Sequence, residues 1–272
     1  MMRWRPSRRG IGTALAVLAT YLLSLLMLAP AALLDTALQR ASDGHLRLTE
    51  ARGSLWTGAG RLEMRDAGGR ALAGTAVEWT LRAPSVWRGR LDYALNIGHA
   101  DKNFPVRLSL RGVEISDANF QLPAAALGAA APQVALLGLQ GELHVQLDRL
   151  VLADHDVQTL GAVVTWQRAG AAVAPVSPLG DYVLRLDRRA ERLEASLRTT
   201  SGPLQLSGQG AWTHGSGPAM AVSAQVDEAQ RQQLSSFLRL IAVERGGGKF
   251  ELRLDQYTGG AAGSSSMAGG RP

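Results

Sequence analysis

The sequence contains no cysteine among its 272 residues. This absence excludes disulfide bonds, a thiol nucleophile and every cysteine-based metal site. Aromatic residues are also scarce, since phenylalanine and tyrosine number four each. The length suits one large domain or two small ones, and the 46% hydrophobic fraction against 19% charged residues is typical of a folded chain.

Motifs of common catalytic chemistry are absent too. The sequence has no GxSxG, GxGxxG, HExxH or GxxxxGK[ST] pattern, and RGGGKF at 245–250 reads as a helix end followed by a glycine link. His155, between Asp154 and Asp156, is the best metal candidate, but it lacks third and fourth ligands and such clusters are typical of polar turns. We therefore predict no enzymatic activity and no catalytic, cofactor-binding or metal-binding residues.

Positive charge is concentrated at the N-terminus. The formal net charge is +6, and the first nine residues include four arginines and no acid. The other 263 residues carry a net charge of only +2, with arginine and acidic residues interspersed. Binding to DNA or RNA requires a basic patch or stripe, so we predict no nucleic-acid partner.

Residues 10–34 contain no charged side chain. Because about 20 apolar residues span the hydrocarbon core, this segment predicts a single membrane anchor. The arginines before it predict a cytoplasmic N-terminus and an exported body, which is periplasmic in a Gram-negative cell. A signal peptide cleaved near Ala31 or Ala32 is the alternative, although its apolar region is usually 7–15 residues long.

Alternation of apolar and polar residues dominates the exported body. In 71–83, for example, Val77, Trp79 and Leu81 alternate with polar residues. A period of two predicts strands with one apolar face, which is typical of antiparallel sheets. The same alternation occurs in the segments RLDYALNIG, PVRLSLRG, GELHVQLD, GAVVTWQ, DYVLRLD, RLEASLRT, PLQLSGQGAW and KFELRLD.

Three segments depart from this alternation. The apolar positions change parity between Leu147 and Leu150, which indicates a β-bulge, a bend or a short turn near residues 148–149. The alanine-rich segment 122–138 predicts a short helix or helical turn. Residues 227–246 predict one amphipathic helix, with Asp227 as its N-cap and its end at Arg245 and Gly246; its apolar positions are Leu234, Phe237, Leu238 and Ile241.

Two tryptophans occur in similar contexts. Trp79 and Trp166 each follow a strand pair and precede a proline-containing link and another alternating strand, which makes 46–120 and 136–215 candidate repeats. Trp56 lies in a glycine-rich turn, where Gly58 and Gly60 allow close backbone approach. We interpret Trp56 as a packing residue that closes the end of an apolar sheet face, with ligand stacking as the alternative.

The order of these segments resembles the type II secretion system protein N family. A basic N-terminus and one apolar run are followed by GSLWTG, VEWTLRAPSVWRGRLDYAL, LPAAAL, LQGELHVQLDRLVL, GAVVTWQRAGAAVAP, PLGDYVLRL and SGPLQLSGQGAW. The resemblance implies a bitopic inner-membrane protein of Gram-negative bacteria, accessory to the machine that exports folded proteins across the outer membrane. It implies as partners other components of that machine, in the inner-membrane platform or the secretin, and it brings no catalytic residues.

The predicted architecture is mainly β, with four parts in order. Residues 1–9 form a cytoplasmic basic tail, 10–34 a transmembrane helix, 35–258 a periplasmic domain and 259–272 a disordered tail. The domain is a curved antiparallel meander with weak internal duplication and one amphipathic helix near its C-terminus. Such a sheet must cover its apolar face, by folding over itself, by binding proteins or by holding lipid as AsmA-like envelope proteins do.

Overall fold

The fold was taken from a computed structural model of the chain. It describes residues 17–18, 20–21, 24–25, 28–66, 68–82, 89–98, 100, 102–130, 136–153, 156–213, 220–227, 230, 232–234, 243–246 and 249–253. Among them, helix α1 spans Ala32–Ala41, a 3-10 turn spans Ala124–Ala126 and helix α2 spans Leu127–Ala130.

The described residues form one antiparallel sheet of fourteen strands. Each of β1 to β11 pairs with the next strand along the chain, and β12 then pairs with β14, which pairs with β13 at the edge. The sheet is a meander because short links join sequential strands. The strands are β1 Leu46–Gly53, β2 Thr57–Arg65, β3 Ala71–Leu81, β4 Arg90–Ile97, β5 Phe104–Ser109, β6 Gly112–Pro123, β7 Leu139–Ala153, β8 Asp156–Ala171, β9 Gly180–Arg189, β10 Arg192–Ser201, β11 Leu204–Thr213, β12 Met220–Val226, β13 Val243–Gly246 and β14 Lys249–Arg253.

The alternating pattern places apolar side chains on one face, as the sequence predicts. In β3, Val77, Trp79 and Leu81 are buried, while Glu78 and Thr80 are exposed. Directly paired residues of neighbouring strands lie on the same face of a sheet. Apolar residues of neighbouring strands are therefore paired with one another; Trp79, for example, pairs with Leu95 of β4. Leu110 is an exception, since β5 ends at Ser109 and the side chain is fully exposed.

The buried apolar residues form two clusters. The first, called the N-terminal core here, is formed by Ala31 and by strands β1 and β3 to β8; its buried members are Ala31, Leu48, Val77, Trp79, Leu81, Tyr93, Phe104, Val106, Ala118, Leu147 and Ala162. The second, the C-terminal core, lies at the other end of the sheet; its buried members are Ala171, Leu179, Leu204, Ala224, Val226, Leu234 and Phe250.

The parity change in β7 is a β-bulge within a continuous strand. Leu147 pairs with Ala162 of β8, but Arg149 pairs with Gly161, so Asp148 is the extra residue. The bulge keeps Leu147 and Leu150 on the apolar face although their spacing is odd. The structure thus selects the bulge over the short turn.

The alanine-rich segment forms the predicted helical turn. Pro123 ends β6 in an extended conformation, and the 3-10 turn and α2 follow it. Proline fits there because it needs no amide hydrogen bond at the start of a helix.

The predicted end of the C-terminal helix is wrong. Residues 232–234 are helical and Leu234 is fully buried, but Val243–Gly246 is strand β13, paired antiparallel with β14. Pairing with β14 gives the backbone of Val243 and Glu244 partners in the sheet, and this tertiary pairing overrides the helical spacing. Arg245 and Gly246 are accordingly in β13, and Lys249 and Phe250 are in β14, so Gly246 does not end a helix. Phe237, Leu238 and Ile241 lie outside the described residues.

The predicted membrane segment is described only in part. The described residues at 17–18, 20–21 and 24–25 are helical, and α1 begins at Ala32, inside the predicted 10–34 segment. No helix formed by described residues combines the length and apolarity needed to cross a membrane. The tails 1–9 and 259–272 lie outside the described residues.

Candidate interaction surfaces

The described residues contain no cluster of three or more histidine, aspartate or glutamate side chains that could hold a metal ion. Asp154 and His155 lie outside the described part of the chain. Asp156, the third member of that sequence cluster, accepts a hydrogen bond from the Arg188 guanidinium at 3.3 Å. Its carboxylate is therefore used in an ion pair that ties β8 to β9.

Trp56 is a packing residue of the turn between β1 and β2. Its side chain is half-buried against the N-terminal core, and its carbonyl accepts a hydrogen bond from the Leu81 amide at 2.6 Å. The same turn receives the buried indole of Trp79, whose Nε1–H donates to the Ser54 carbonyl at 3.0 Å. The aromatic turn therefore closes one end of the core, as the packing interpretation predicts.

A related arrangement occurs around Trp166 in β8. Its Nε1–H donates to the Gln140 carbonyl at 2.9 Å, and its ring lies 5.9 Å from that of Tyr182 in β9. The Tyr182 hydroxyl donates to the Leu204 carbonyl at 3.0 Å, and burial raises the pKa of this phenol. Trp166 and Trp79 thus share an indole-to-carbonyl bond. The duplication of 46–120 and 136–215 stays a prediction.

Helix α1 covers the hydrogen-bonding edge of β1. The Leu48 amide donates to the Asp35 carboxylate at 2.8 Å, and the Leu46 amide donates to the Ser42 hydroxyl, just after α1, at 3.0 Å. These amides are two residues apart, so they are the ones that point away from β2. Burial alone would raise the pKa of Asp35, but hydrogen bonds from Leu48 and Arg47 and the Arg47 charge lower it overall.

The residues before α1 continue this cover. The Ala29 carbonyl accepts from the Leu55 amide at 2.9 Å, and the Ala31 amide donates to the Gly53 carbonyl at 3.3 Å. Between them, Pro30 forms an isolated antiparallel bridge with Ser54. The first edge of the sheet is therefore occupied by the chain itself, which is one way in which proteins protect an edge strand.

Strand β13 forms the opposite edge. Its register partners among the described residues are all in β14, where Val243 pairs with Glu251 and Glu244 with Phe250. Alternate backbone groups of an edge strand point away from the sheet, where another strand can pair with them. The two edges of the sheet thus differ, since α1 binds the edge of β1 through hydrogen bonds, whereas the described register partners of β13 all lie in β14.

A ladder of alternating charges crosses the polar face from β4 to β7. Asp92 contacts the guanidinium of Arg107 at 3.2 Å, and Arg107 and Arg149 both contact Glu114, at 2.6 and 2.7 Å. The hydrogen bond to Glu114 is the main cause of the raised pKa of Arg107. Burial alone would raise the pKa of Glu114, but hydrogen bonds and charges from the two arginines lower it overall. The ladder ties four strands together on their solvent side.

The polar face of β9 to β11 carries a shallow depression. Its charged lining residues are Arg185, Asp187, Arg189 and Glu194. Arg189 and Glu194 lie 3.5 Å apart and are both well exposed. Because both signs of charge are present, the depression has no single sign that would select an ionic ligand.

Sequence reasoning did not identify the side chains that cover β1. Asp35 is the first charged residue after the long apolar run, and Pro30 is the proline nearest the end of that run. Both were assigned to the membrane segment or its boundary. The available signal was the AP pair at 29–30, since proline disfavours a continuous helix through that point.

Comparison with known proteins identifies the family. The family model described as type II secretion system (T2SS), protein N, matches residues 44–253. A protein of Pectobacterium carotovorum subsp. carotovorum named Type II secretion system protein N is 30% identical over 218 residues, which is 76% of this chain and 80% of the relative. No solved structure matches the chain.

The matched region begins two residues before β1 and ends with β14, so it contains the whole sheet. Helix α1 precedes it. The chain belongs to the type II secretion system protein N family, and it is accordingly an accessory component of type II secretion whose partners are other components of that system.

Proposed function

We propose that the protein is anchored in the inner membrane by residues 10–34, with its N-terminus in the cytoplasm and its sheet in the periplasm. The sheet acts by protein–protein contact during export of folded proteins across the outer membrane. Its contacts are with the inner-membrane platform or the secretin. Family membership and the uncharged 25-residue segment support this assignment.

The proposed mode of contact is based on the difference between the two edges of the sheet. Strand β1 is covered by α1 through Asp35 and Ser42, whereas β13 ends the sheet with a backbone edge. An extended segment of a partner adds to such an edge through main-chain hydrogen bonds, and side-chain pockets then give specificity. We therefore assign partner docking to β13.

Secretion measurements in cells test this function. We expect deletion of the gene to abolish export of secreted proteins and the full chain to restore it. A Val243→Pro/Glu244→Pro variant removes two successive amide donors, one of which points away from β14, and is expected to fail to restore export. Leu110→Ser changes an exposed turn between β5 and β6, far from β13 in the strand order. It is the matched control and is expected to restore export.

Two controls make the comparison decisive. The proline variant must accumulate to the normal level and unfold at the normal temperature, so that loss of export reports docking. Normal export in the deletion strain would contradict the accessory function. Normal export with the proline variant alone would contradict docking at β13 and leave the accessory function standing.

A lipid-binding groove is the second candidate function. The apolar face continues between the two cores through a directly paired row that runs Leu184, Leu197, Gly208 and Val222 across β9 to β12. Leu184 and Leu197 are only half-buried. A photoreactive fatty acid incorporated into cells would then label peptides of β9 and β10, and a labelling pattern confined to residues 10–34 would exclude the groove.

A further inference from the structure

Helix α1 has two distinct sides. The side against the sheet contains Leu34 and Leu38, which pack on the N-terminal core, and the polar residues Asp35 and Gln39. The Gln39 amide donates to Asp35 at 2.6 Å, which holds the carboxylate toward the Leu48 amide. The outward side consists of the exposed residues Ala32, Leu33, Thr36, Ala37, Arg40 and Ala41.

The outward side of α1 carries little charge for a surface helix. A helix that packs on a soluble domain usually turns charged residues to water. In α1 the only acid is on the sheet side, and the outward side has one arginine, one threonine and four apolar residues. Leu33 leaves 52% of its surface exposed on that side.

The exposed apolar surface continues upstream of α1. Leu28 is 79% exposed, and it is joined to the helical residues before it by a 3.0 Å hydrogen bond from its amide to the Ser24 carbonyl. Exposed apolar side chains also occur in that helical part, at Val17, Leu18, Tyr21 and Leu25. The outward side of α1 is therefore the direct continuation of the segment assigned to the membrane anchor.

We propose that the outward side of α1 rests on the lipid surface, so that β1 is the membrane-proximal edge of the sheet. Ala29–Ala31 pairs with residues 53–55, so the membrane-crossing part of the 10–34 segment ends by Leu28 and no free linker separates it from the sheet. Arg40, in the last turn of α1, can extend its guanidinium to the headgroups while its alkyl chain stays on the apolar side.

This orientation rests on the proposed anchor, and it adds a functional consequence. With β1 against the bilayer, the strands follow one another away from the membrane, and β13 is the distal edge in the sheet order. The partner-docking edge then faces the periplasm. The lipid surface therefore lies beside β1, the edge that α1 already protects from the addition of another strand.

Site-specific quenching tests the orientation, because the native chain has no cysteine to interfere with labelling. Single-cysteine variants of the full chain, Leu33→Cys and Ala37→Cys, would carry an environment-sensitive fluorophore. The protein would be reconstituted into vesicles of phosphatidylethanolamine and phosphatidylglycerol with a nitroxide-labelled headgroup lipid. Leu25→Cys reports the anchor, and Leu110→Cys reports a fully exposed turn.

We expect strong quenching at Leu25, Leu33 and Ala37, and none at Leu110. Quenching at Leu25 with Leu33 and Ala37 as unquenched as Leu110 would overturn the orientation while the anchor stands. No quenching at Leu25 would overturn the anchor itself, and the orientation with it.

A charge variant provides an independent measurement. Leu33→Asp/Ala37→Asp alters exposed side chains, so the unfolding temperature is expected to stay unchanged. A fluorophore on a cysteine at Arg40 would lose most of its quenching in this background. Strong quenching at Arg40 that stays unchanged in this background would mean that Leu33 and Ala37 do not hold α1 on the lipid surface, and it would contradict the proposal.

Discussion

Trp79 lies directly opposite Gly58 across the β2–β3 pair, and a Cβ added to Gly58 would lie 2.5 Å from the indole Cζ2. The same Cβ would also collide with the Arg52 carbonyl of β1. Glycine therefore leaves the room that the indole occupies, and Trp79 can bury its ring against the strand while its Nε1–H reaches Ser54. The glycine-rich aromatic turn is explained by packing.

Replacement of Gly58 by alanine is expected to destabilise the sheet. The added methyl group has no space between the indole and the Arg52 carbonyl, so the free energy of unfolding should fall by about 1–3 kcal/mol. Gly161→Ala is the matched control, because its Cβ would meet only Asp148 atoms at 3.7 Å or more. Chemical denaturation measures both, and equal stability of the two variants would contradict this account.

Trp79→Phe should cost more stability than Trp166→Phe. Both variants lose an indole-to-carbonyl bond, but Trp79 is buried and Trp166 is half-exposed at a solvent-accessible bond. Loss of the part-buried bond and of buried ring volume should lower the free energy of unfolding by about 1–3 kcal/mol at position 79. Denaturant titration measures the free energy of unfolding of both variants. A larger loss of stability for Trp166→Phe than for Trp79→Phe would contradict this prediction.

Asp35 should make stability depend on pH. Its pKa is lowered below the ordinary value of 3.8 in the folded chain, so the ionised carboxylate stabilises the fold at neutral pH. That contribution is lost as the pH falls through the lowered pKa. We expect Asp35→Asn to be less stable than the native chain at pH 7, with a difference that shrinks below pH 3.8.

Denaturation of the native chain and Asp35→Asn across the acid range measures this difference. Asp43→Asn, at an exposed position just after α1, is the matched control for removal of a nearby carboxylate. A difference between native chain and Asp35→Asn that is constant with pH would mean that the carboxylate charge does not hold α1 on β1.

Glu114→Gln should have a small, salt-dependent effect. Glu114 contacts Arg107 and Arg149, but both arginines are well exposed, so the loss should be about 0–1 kcal/mol. Salt screens exposed charges, and the difference from the native chain should narrow at high ionic strength. Glu191→Gln, in the exposed β9–β10 turn, is the control, and a loss of several kcal/mol at Glu114 would contradict a screened surface ladder.

Local patterns were enough to predict strands β3 to β5, β7 to β11 and β14. The alternation around Trp79 predicts strand β3 and its buried face. The odd spacing of Leu147 and Leu150 predicts an irregularity near residues 148–149, which the structure shows to be a bulge at Asp148. These features depend on neighbouring residues, since the side-chain direction in a strand alternates with each residue. The alanine-rich turn after Pro123 was predictable for the same reason.

Long-range pairing was not predictable from such patterns. The contact between Asp35 and the Leu48 amide joins a helix to a strand edge, and the apolar run before Asp35 conceals where the sheet domain begins. Val243 carries a helical pattern but pairs with Glu251 at the edge of the sheet. In both cases the deciding interactions are made with another segment, which a periodicity in one segment does not reveal.

In-cell photo-crosslinking tests the central claim, that the sheet works by contact with other secretion components, most directly. A photoreactive amino acid placed at Val243 or Glu244 of β13 should form a covalent adduct with a protein of the inner-membrane platform or the secretin. The same residue at Leu110 should form none. If the β13 positions form no adduct with either class of component in cells that secrete normally, the account is contradicted.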